Sequence, residues 1–314
     1  MSEIAATTTQ GRERAPLLSI GVPVYNDAQA IGPALEDLLR QSLLDLEIII
    51  SDNASTDGTS EICRSFAVRD IRVRYIRQVE NIGSRANFQF VLLNARGKYF
   101  CWAASDDRHD IEFADTLVRK LEESENNVSA FCAFSNIDDD GHDLADFDFD
   151  FSAPRRSDQV RKFLFEMDGR KDVFIYGIHR LSVLRRARFY TWWGANAVTP
   201  FHFAYPVLAY LLAKGSYVHV HQKLFFSRMF PGRGNRYPVT YENRRILRLL
   251  ARNGLELNVH WAIFHSIWQG SRSLSRPLTL TPAILWSLLL TLFRVNRDAL
   301  RQFFLKLGTG RQTA

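Results

Sequence analysis

Four polar clusters carry the side chains of this sequence that could do chemistry, and each closes a short apolar run. Tyr25-Asn26 follows Leu17–Val24, Asp52-Asn53 follows Leu46–Ser51, Asn81 follows Val73–Arg77, and Asp106-Asp107 follows Tyr99–Ala103. An aromatic ring, amides and carboxylates can hydrogen-bond and orient a polar ligand, and a pair of adjacent carboxylates attracts cations. Each cluster also has a plainer reading. Asp52 suits a turn or a helix cap, Asn81 a turn, and Asp106-Asp107 an ordinary loop. Their recurrence at the ends of successive runs gives the set more weight than any member.

The elements that must position these residues follow from periodicity. The four runs read as buried strands. Between them, residues 28–42 place Ile31, Leu35, Leu38 and Leu39 on one helical face, and residues 60–69 and 84–95 read as further helices. Asp57 suits a cap for the 60–69 helix. This alternation predicts an α/β fold with a doubly wound, mostly parallel, Rossmann-like sheet, whose ligands bind at the carboxyl ends of the strands. A helix at 111–124 and a strand at 130–137 follow. Residues 138–150 hold seven aspartates alternating with Phe147 and Phe149 up to Phe151, which reads as an exposed edge strand or mobile flap in preference to a metal site. A strand-then-helix pattern spans 172–186, a helix 203–214 and a late strand 218–226. The chain then reads as helical from about 240 to 306, broken at Pro277 and Pro282.

Composition narrows the class. The 314 residues are 46% hydrophobic and 24% charged, which excludes wholesale disorder. The net charge of +6 is confined to residues 271–314, where seven basic side chains face one acid, so the first 270 residues balance. That distribution argues against nucleic acid as a partner. Cys63, Cys101 and Cys132 are too few and too scattered for a disulfide framework or structural zinc, and fit a reducing cytoplasm. Residues 1–16 read as a disordered leader without a signal peptide. The longest strongly apolar stretch, Pro282–Phe293, is well short of the roughly 20 residues that span a bilayer.

Taken in order, Pro23-Val24-Tyr25-Asn26, the segment Ser51–Thr59, Glu80-Asn81-Ile82-Gly83 with Asn87-Phe88, and Ala95-Arg96-Gly97-Lys98-Tyr99 leading to Ser105-Asp106-Asp107 resemble the family 2 glycosyltransferases of the GT-A fold, over about residues 17–230. The resemblance is to enzymes of bacterial cell-surface polysaccharide assembly. It implies transfer of a sugar from a nucleotide-diphosphate donor, usually with inversion and with a divalent cation, Mn²⁺ or Mg²⁺. It further implies that Pro23, Val24, Tyr25 and Asn26 line the base and ribose, that Asp52 accepts from a base N–H, and that Asn53, Asn81, Arg85 and Ser105 complete the nucleotide site. Asp106 is the best metal-ligand candidate, with Asp107 beside it. Asn81 could equally only shape its turn, and Arg85 could be an idle surface residue.

The pattern departs from the family at three places. Ala104 stands where the first Asp of D-x-D-D is expected. The segment Trp192–His202 contains no acid where the general base is usual, leaving His202, which could be a packed structural residue, and Asp172 as candidates. Phe230 replaces the His of an Arg-x-His segment, although Arg228 and Arg233 remain to clamp a pyrophosphate. A non-catalytic nucleotide-sugar-binding or scaffold paralogue is therefore the rival reading. The implied domains are the leader 1–16, a glycosyltransferase domain 17–235, a helical extension 236–306 and a flexible tail 307–314. The extension interleaves Trp261, Trp268, Trp286, Leu288, Phe293 and Phe303 with Arg side chains, as an in-plane membrane helix does, and such helices also pack as plain appendages. Membrane contact would place the protein peripherally at the inner face of the cell membrane and imply a lipid-linked or other cell-surface glycan acceptor.

Overall fold

Residues 14–165, 171–189 and 203–229, with residues 261, 263–267 and 269, are described by the computed structural model. Strands β1 (Leu18–Val24), β2 (Leu46–Asp52), β3 (Val73–Arg77) and β4 (Tyr99–Trp102) lie parallel in the order β3-β2-β1-β4. β1 and β2 are buried along their whole length, as expected of near-continuous apolar runs covered on both faces. The crossovers carry α1 (Ile31–Leu39), α2 (Thr59–Arg69) and α3 (Ser84–Asn94). α1 turns Ile31, Leu35 and Leu38 inward, each side chain contributing about 1.5–3 kcal/mol by leaving water. α3 approaches β1 closely because residue 21 is glycine. A Cβ there would come within 2.7 Å of Val91 Cγ2 and 2.8 Å of Phe100 Cζ.

Beyond β4 the architecture changes. β5 (Arg108–His109), α4 (Phe113–Glu122), β6 (Asn127–Ile137), β7 (Asp143–Phe147), α5 (Arg156–Phe165), a 3₁₀ turn at Lys171–Tyr176, β8 (Ile178–Arg180), α6 (Leu181–Leu184), α7 (Ala204–Lys214) and β9 (Ser216–Arg228) follow. The sheet continues β4-β8-β6-β9-β5, with β7 on β6, so the described strands form one nine-stranded sheet. β8 is antiparallel to both β4 and β6, and β9 is parallel to β6. These two reversals return β6 and β9 to the direction of β4. Their carboxyl ends therefore rise at the same edge as those of β1–β4. The core of this half is aromatic: Phe131 meets Phe174 at 5.1 Å and Phe225 at 5.5 Å between ring centroids, and Phe151 meets Phe174 at 4.4 Å and Tyr217 at 4.7 Å.

The mostly parallel α/β fold is the one expected, and Asp143–Phe147 of the aspartate-rich stretch form an exposed edge strand, β7. Two elements differ. The expected strand at the start of 172–186 is the 3₁₀ turn, in which Val173, Phe174 and Ile175 are all buried. A short apolar run has no period that separates these conformations, and only the three residues of β8 pair. Neither α5 nor the two-residue β5 was anticipated. Residues 14–16, expected to be leader, join the fold: the Pro16 carbonyl accepts from Lys98 N–H at 3.3 Å. In the C-terminal region the described positions between 261 and 269 are helical. Ile263 and Ile267 are buried in the same apolar cluster as the sheet, whereas Trp261 is 58% exposed. That stretch is packed on the domain. Among the described residues no helix is long and apolar enough to cross a membrane. The boundaries expected at 235 and 306, the proline breaks and the basic side chains of 271–314 lie outside the described residues.

Candidate functional site

The four polar clusters meet at the carboxyl edge of β1–β4, and the structure shows what holds them. Asp52, at the end of β2, is fully buried. Its Oδ1 accepts from Ser55 N–H at 2.9 Å, while Oδ2 accepts from Ser60 Oγ at 2.5 Å, Tyr75 OH at 2.8 Å and Arg77 Nη1 at 3.1 Å. Burial pushes its pKa up, and the bonds from Ser55, Ser60 and Tyr75 outweigh it, holding the carboxyl below its ordinary value. Arg77 also donates to Ser60 Oγ and, through Nη2, to the Ser55 carbonyl at 2.9 Å. Asp52 is thus the anchor of the 52–57 loop, and the base contact that the resemblance implies for it stays an expectation. Both oxygens are already taken by protein donors and no part of the residue reaches solvent.

The loop after β1 is fastened to this one. Asn26 N–H donates to Ser55 Oγ at 3.0 Å, and Asn26 Oδ1 accepts from Thr56 N–H at 2.8 Å. Asn26 (φ 49°) and Ala54 (φ 62°) are the two non-glycine residues with left-handed backbone among those described, and they sit in these facing loops. Such conformations persist where the surroundings over-determine them. Asp57 bonds Thr59 N–H at 3.2 Å and Ala28 N–H at 3.1 Å, so it fastens the start of α2 and ties it to the first loop. The following Gly58 has φ 93°, a backbone that L side chains rarely adopt. Asn53 donates through Nδ2 to Asn81 Oδ1 at 2.8 Å and accepts from Ile82 N–H at 2.8 Å. Asn81 in turn accepts from Gly83 N–H at 2.9 Å, so both amides shape the loop before α3. Asn87 clamps α3 to β2, accepting from Ser51 Oγ at 2.5 Å and donating to the Ser51 carbonyl at 2.9 Å.

The carboxylate pair after β4 is bound to the far side of the sheet. Asp107 is buried and accepts from Arg228 N–H at 3.0 Å, whereas Asp106 is half-buried. Arg228 Nε donates to the Asp106 carbonyl at 3.1 Å, and its Nη1 donates to the carbonyls of Asp138 at 3.3 Å and Asp139 at 2.5 Å. Through these carbonyl contacts the Arg228 side chain straps the Asp106-Asp107 loop to the β6–β7 turn, and its pyrophosphate role stays an expectation. Next to the pair, Arg108 makes a bidentate contact with Asp37 of α1, at 2.5 and 2.9 Å. Ser105 donates to Asp27 Oδ2 at 2.5 Å and joins the loops after β1 and β4. Asp27, Asp37, Ser60, Tyr75 and Arg77 were not singled out from sequence. Their signal is their partners, which folding brings together from distant positions.

Of the other candidates, Pro23 and Val24 are buried in β1, and Val24 belongs to the core. Their side chains face the sheet's packing, so only Tyr25, 47% exposed, and Asn26 present a surface at that strand end. Arg85 is half-buried in the first turn of α3 and makes no ion pair or hydrogen bond among the described residues. Asp172 lies in the 3₁₀ turn. Because β8 pairs antiparallel with β4, the turn that precedes β8 is at the carboxyl end of β4, the edge that carries the site. His202 and Arg233 lie outside the described residues, as do Phe230 and Asn196, the amide within the acid-free segment Trp192–His202.

The profile of glycosyl transferase family 2 matches residues 19–188, more than half of the chain. The chain belongs to this family. The match spans all four clusters and the whole parallel half of the sheet. Among curated relatives, the glycosyltransferase GlyG of Streptococcus pneumoniae is 32% identical over 127 residues, 40% of this chain and 42% of its own. The chondroitin synthase of Escherichia coli is 35% identical over 134 residues, 41% of this chain and 19% of its own. The matched stretch is thus less than half of either relative. Among solved structures, residues 1–349 of S. aureus TarS superpose with a TM-score of 0.62 at 14% identity, covering 85% of this chain and 70% of that one. The mannosyltransferase PcManGT of Pyrobaculum calidifontis, solved with GDP-Man and Mn²⁺, gives 0.50 at 16% identity, covering 92% and 87%. These likenesses establish the GT-A fold.

Proposed function

We propose that this family 2 chain transfers a sugar from a nucleotide-diphosphate donor to a cell-surface glycan acceptor, with inversion and the help of a divalent cation. The carrying observation is the locked set of four loops at the edge of β1–β4, with the half-buried Asp106 in the last of them. The relatives support it. One is a chondroitin synthase and another a putative teichuronic acid biosynthesis glycosyltransferase, and TarS has been solved with UDP-GlcNAc.

In this reading Tyr25 offers its exposed ring to the base, and Asn26 and Asn53 hold the loops that frame the nucleoside. Arg85, without a partner among the described residues and at the start of an 11-residue helix, is a cation placed to meet the diphosphate, helped by the helix N-terminus. Asp106 fits a hard cation such as Mn²⁺ or Mg²⁺, being a carboxylate with access to solvent; Asp107 has one oxygen committed to Arg228. A cation bound there would neutralise the charge that builds on the leaving diphosphate. Asp172, brought to the same edge by β8, is the described candidate for the general base. The acceptor is lipid-linked or another surface glycan, and the protein works peripherally at the inner face of the cell membrane.

The test is a thermal-shift panel of UDP, GDP, dTDP and CMP with and without Mn²⁺, paired with a transfer assay. One diphosphate should stabilise the protein, more so with Mn²⁺. Asp106→Asn should abolish the Mn²⁺ increment and reduce transfer by about 100-fold or more. No stabilisation by any nucleotide would refute the donor site. Transfer unchanged in Asp106→Asn would refute the cation's role, and binding without transfer would favour the scaffold paralogue.

A further inference from the structure

Away from the donor edge, β9 carries His219 and His221, two residues apart and alternating with Val218 and Val220. Side chains at this spacing share one face of a strand. Asp148, just past β7, reaches both: its Oδ1 is 2.5 Å from His219 Nε2 and its Oδ2 is 2.9 Å from His221 Nδ1. One ligand atom from each of the three lies within 4.8 Å of the others. The donor edge is seven residues further along β9, at Arg228, roughly 20 Å away at the usual rise of a strand. This cluster therefore belongs to a different place in the molecule.

We propose that Asp148, His219 and His221 form a binding site for a divalent transition-metal ion, Zn²⁺ by ligand type, which clamps the chain after β7 onto β9. Two imidazoles and one carboxylate are the donor set that Zn²⁺ takes with a fourth position for water, whereas Mg²⁺ and Ca²⁺ prefer all-oxygen shells.

Three further features support the assignment. The β6–β9 register slips between Cys132↔Val220 and Ala133↔Lys223, leaving His221 and Gln222 unopposed, and irregularities of this kind re-aim side chains. His219 is held from behind, because its Nδ1 lies 3.1 Å from the hydroxyl of the buried Tyr217. Such a hydrogen bond orients a metal-ligating imidazole, and a phenol can donate to the ring nitrogen or accept from it as the tautomer requires. The nearby Lys223 is neutralised by Asp143 at 2.5 Å and Asp146 at 3.1 Å. The two contacts of Asp148, at 2.5 and 2.9 Å, are shorter than the ~3.4 Å edges of a tetrahedral zinc shell. Opening the cluster requires movement only of His221 and Asp148, whose side chains are 69% and 48% exposed, while His219, 1% exposed, stays in place.

The full chain, stripped with a chelator, is titrated with Zn²⁺ alone against a chromophoric competitor and, separately, with Co²⁺ while visible absorption is read. The proposal expects one Zn²⁺ per chain, the absorption of tetrahedral Co²⁺, and a metal-dependent rise in the thermal midpoint. Both exposed-ligand variants, His221→Gln and Asp148→Asn, should weaken binding at least about 10-fold and lose the thermal increment. Asp106→Asn should leave this binding unchanged. The site is refuted if the wild type binds no tighter than about 100 μM. It is equally refuted if either ligand variant keeps the wild-type affinity or if binding is lost in Asp106→Asn.

Discussion

The two halves of the sheet are built by different chemistry. In the β1–β4 half, loop shape comes from polar anchors, some buried and some at the surface: Asp52 with four donor groups, Asn26 across to Thr56, Asn53 to Asn81, and Asn87 to Ser51. In the β6–β9 half it comes from packed rings around Phe131 and Phe225, with ion pairs such as Lys223–Asp143 at the surface. Hydrogen bonds are more strictly directional than ring contacts. The first half can therefore hold a loop in one arrangement for a polar ligand, while the second supplies bulk stability and tolerates an irregular edge.

The largest test of this contrast is Phe225→Ala. The side chain is fully buried among Phe131, Phe134, Tyr176 and His109, and its loss should cost about 3–5 kcal/mol in urea unfolding. The nucleotide-induced thermal shift of the folded fraction should survive, and its disappearance would break the division of labour.

Next in size is a pH effect in the same half. Fully buried His179 accepts from Ser129 Oγ at 2.9 Å and donates to the Ile175 carbonyl at 3.1 Å, so it is neutral, and burial pushes its pKa down from 6.5 to about 4. The unfolded chain takes the proton first. Its contribution is therefore complete above pH 6.5 and lost as the pH falls from 6.5 toward 4, by about 3 kcal/mol. In His179→Gln, the slope of unfolding free energy against pH over that window should fall by about 1.4 kcal/mol per unit.

Asp52→Asn is the counterpart in the polar half. It leaves the donors of Ser60, Tyr75 and Arg77 poorly matched and should cost about 1–3 kcal/mol, but it should also erase the nucleotide shift that Phe225→Ala preserves. The smallest structural effect belongs to Tyr25→Ala. Stability should change by less than about 0.5 kcal/mol, while nucleotide affinity falls about 10-fold through the lost stacking surface, as isothermal titration would show.

What was legible in the sequence follows the same contrast. The parallel strands and the four clusters could be read directly, because unbroken apolar runs ending in polar residues leave few alternatives. The inward turn of Asp52 could not, since its partners Ser60, Tyr75 and Arg77 are 8, 23 and 25 residues away and act only once β3 is docked. The straps from Arg228 had no local signal either, because their acceptors are backbone carbonyls. Val173-Phe174-Ile175 was read as a strand because burial, which the sequence does show, does not specify pairing.

The Arg228 strap has a consequence for the order in which the molecule is made. Its main-chain N–H meets Asp107 across 121 residues and its guanidinium meets the Asp106 carbonyl across 122. Contacts so distant along the chain form late, since a long loop must close before they repay it. During synthesis the first four strands can pair while the Asp106-Asp107 loop still lacks its far support. A growing or truncated chain that stops before β9 would carry the loops after β1 and β2 with that segment unfastened. Under the proposed function, competence for transfer is thereby tied to completion of the sheet.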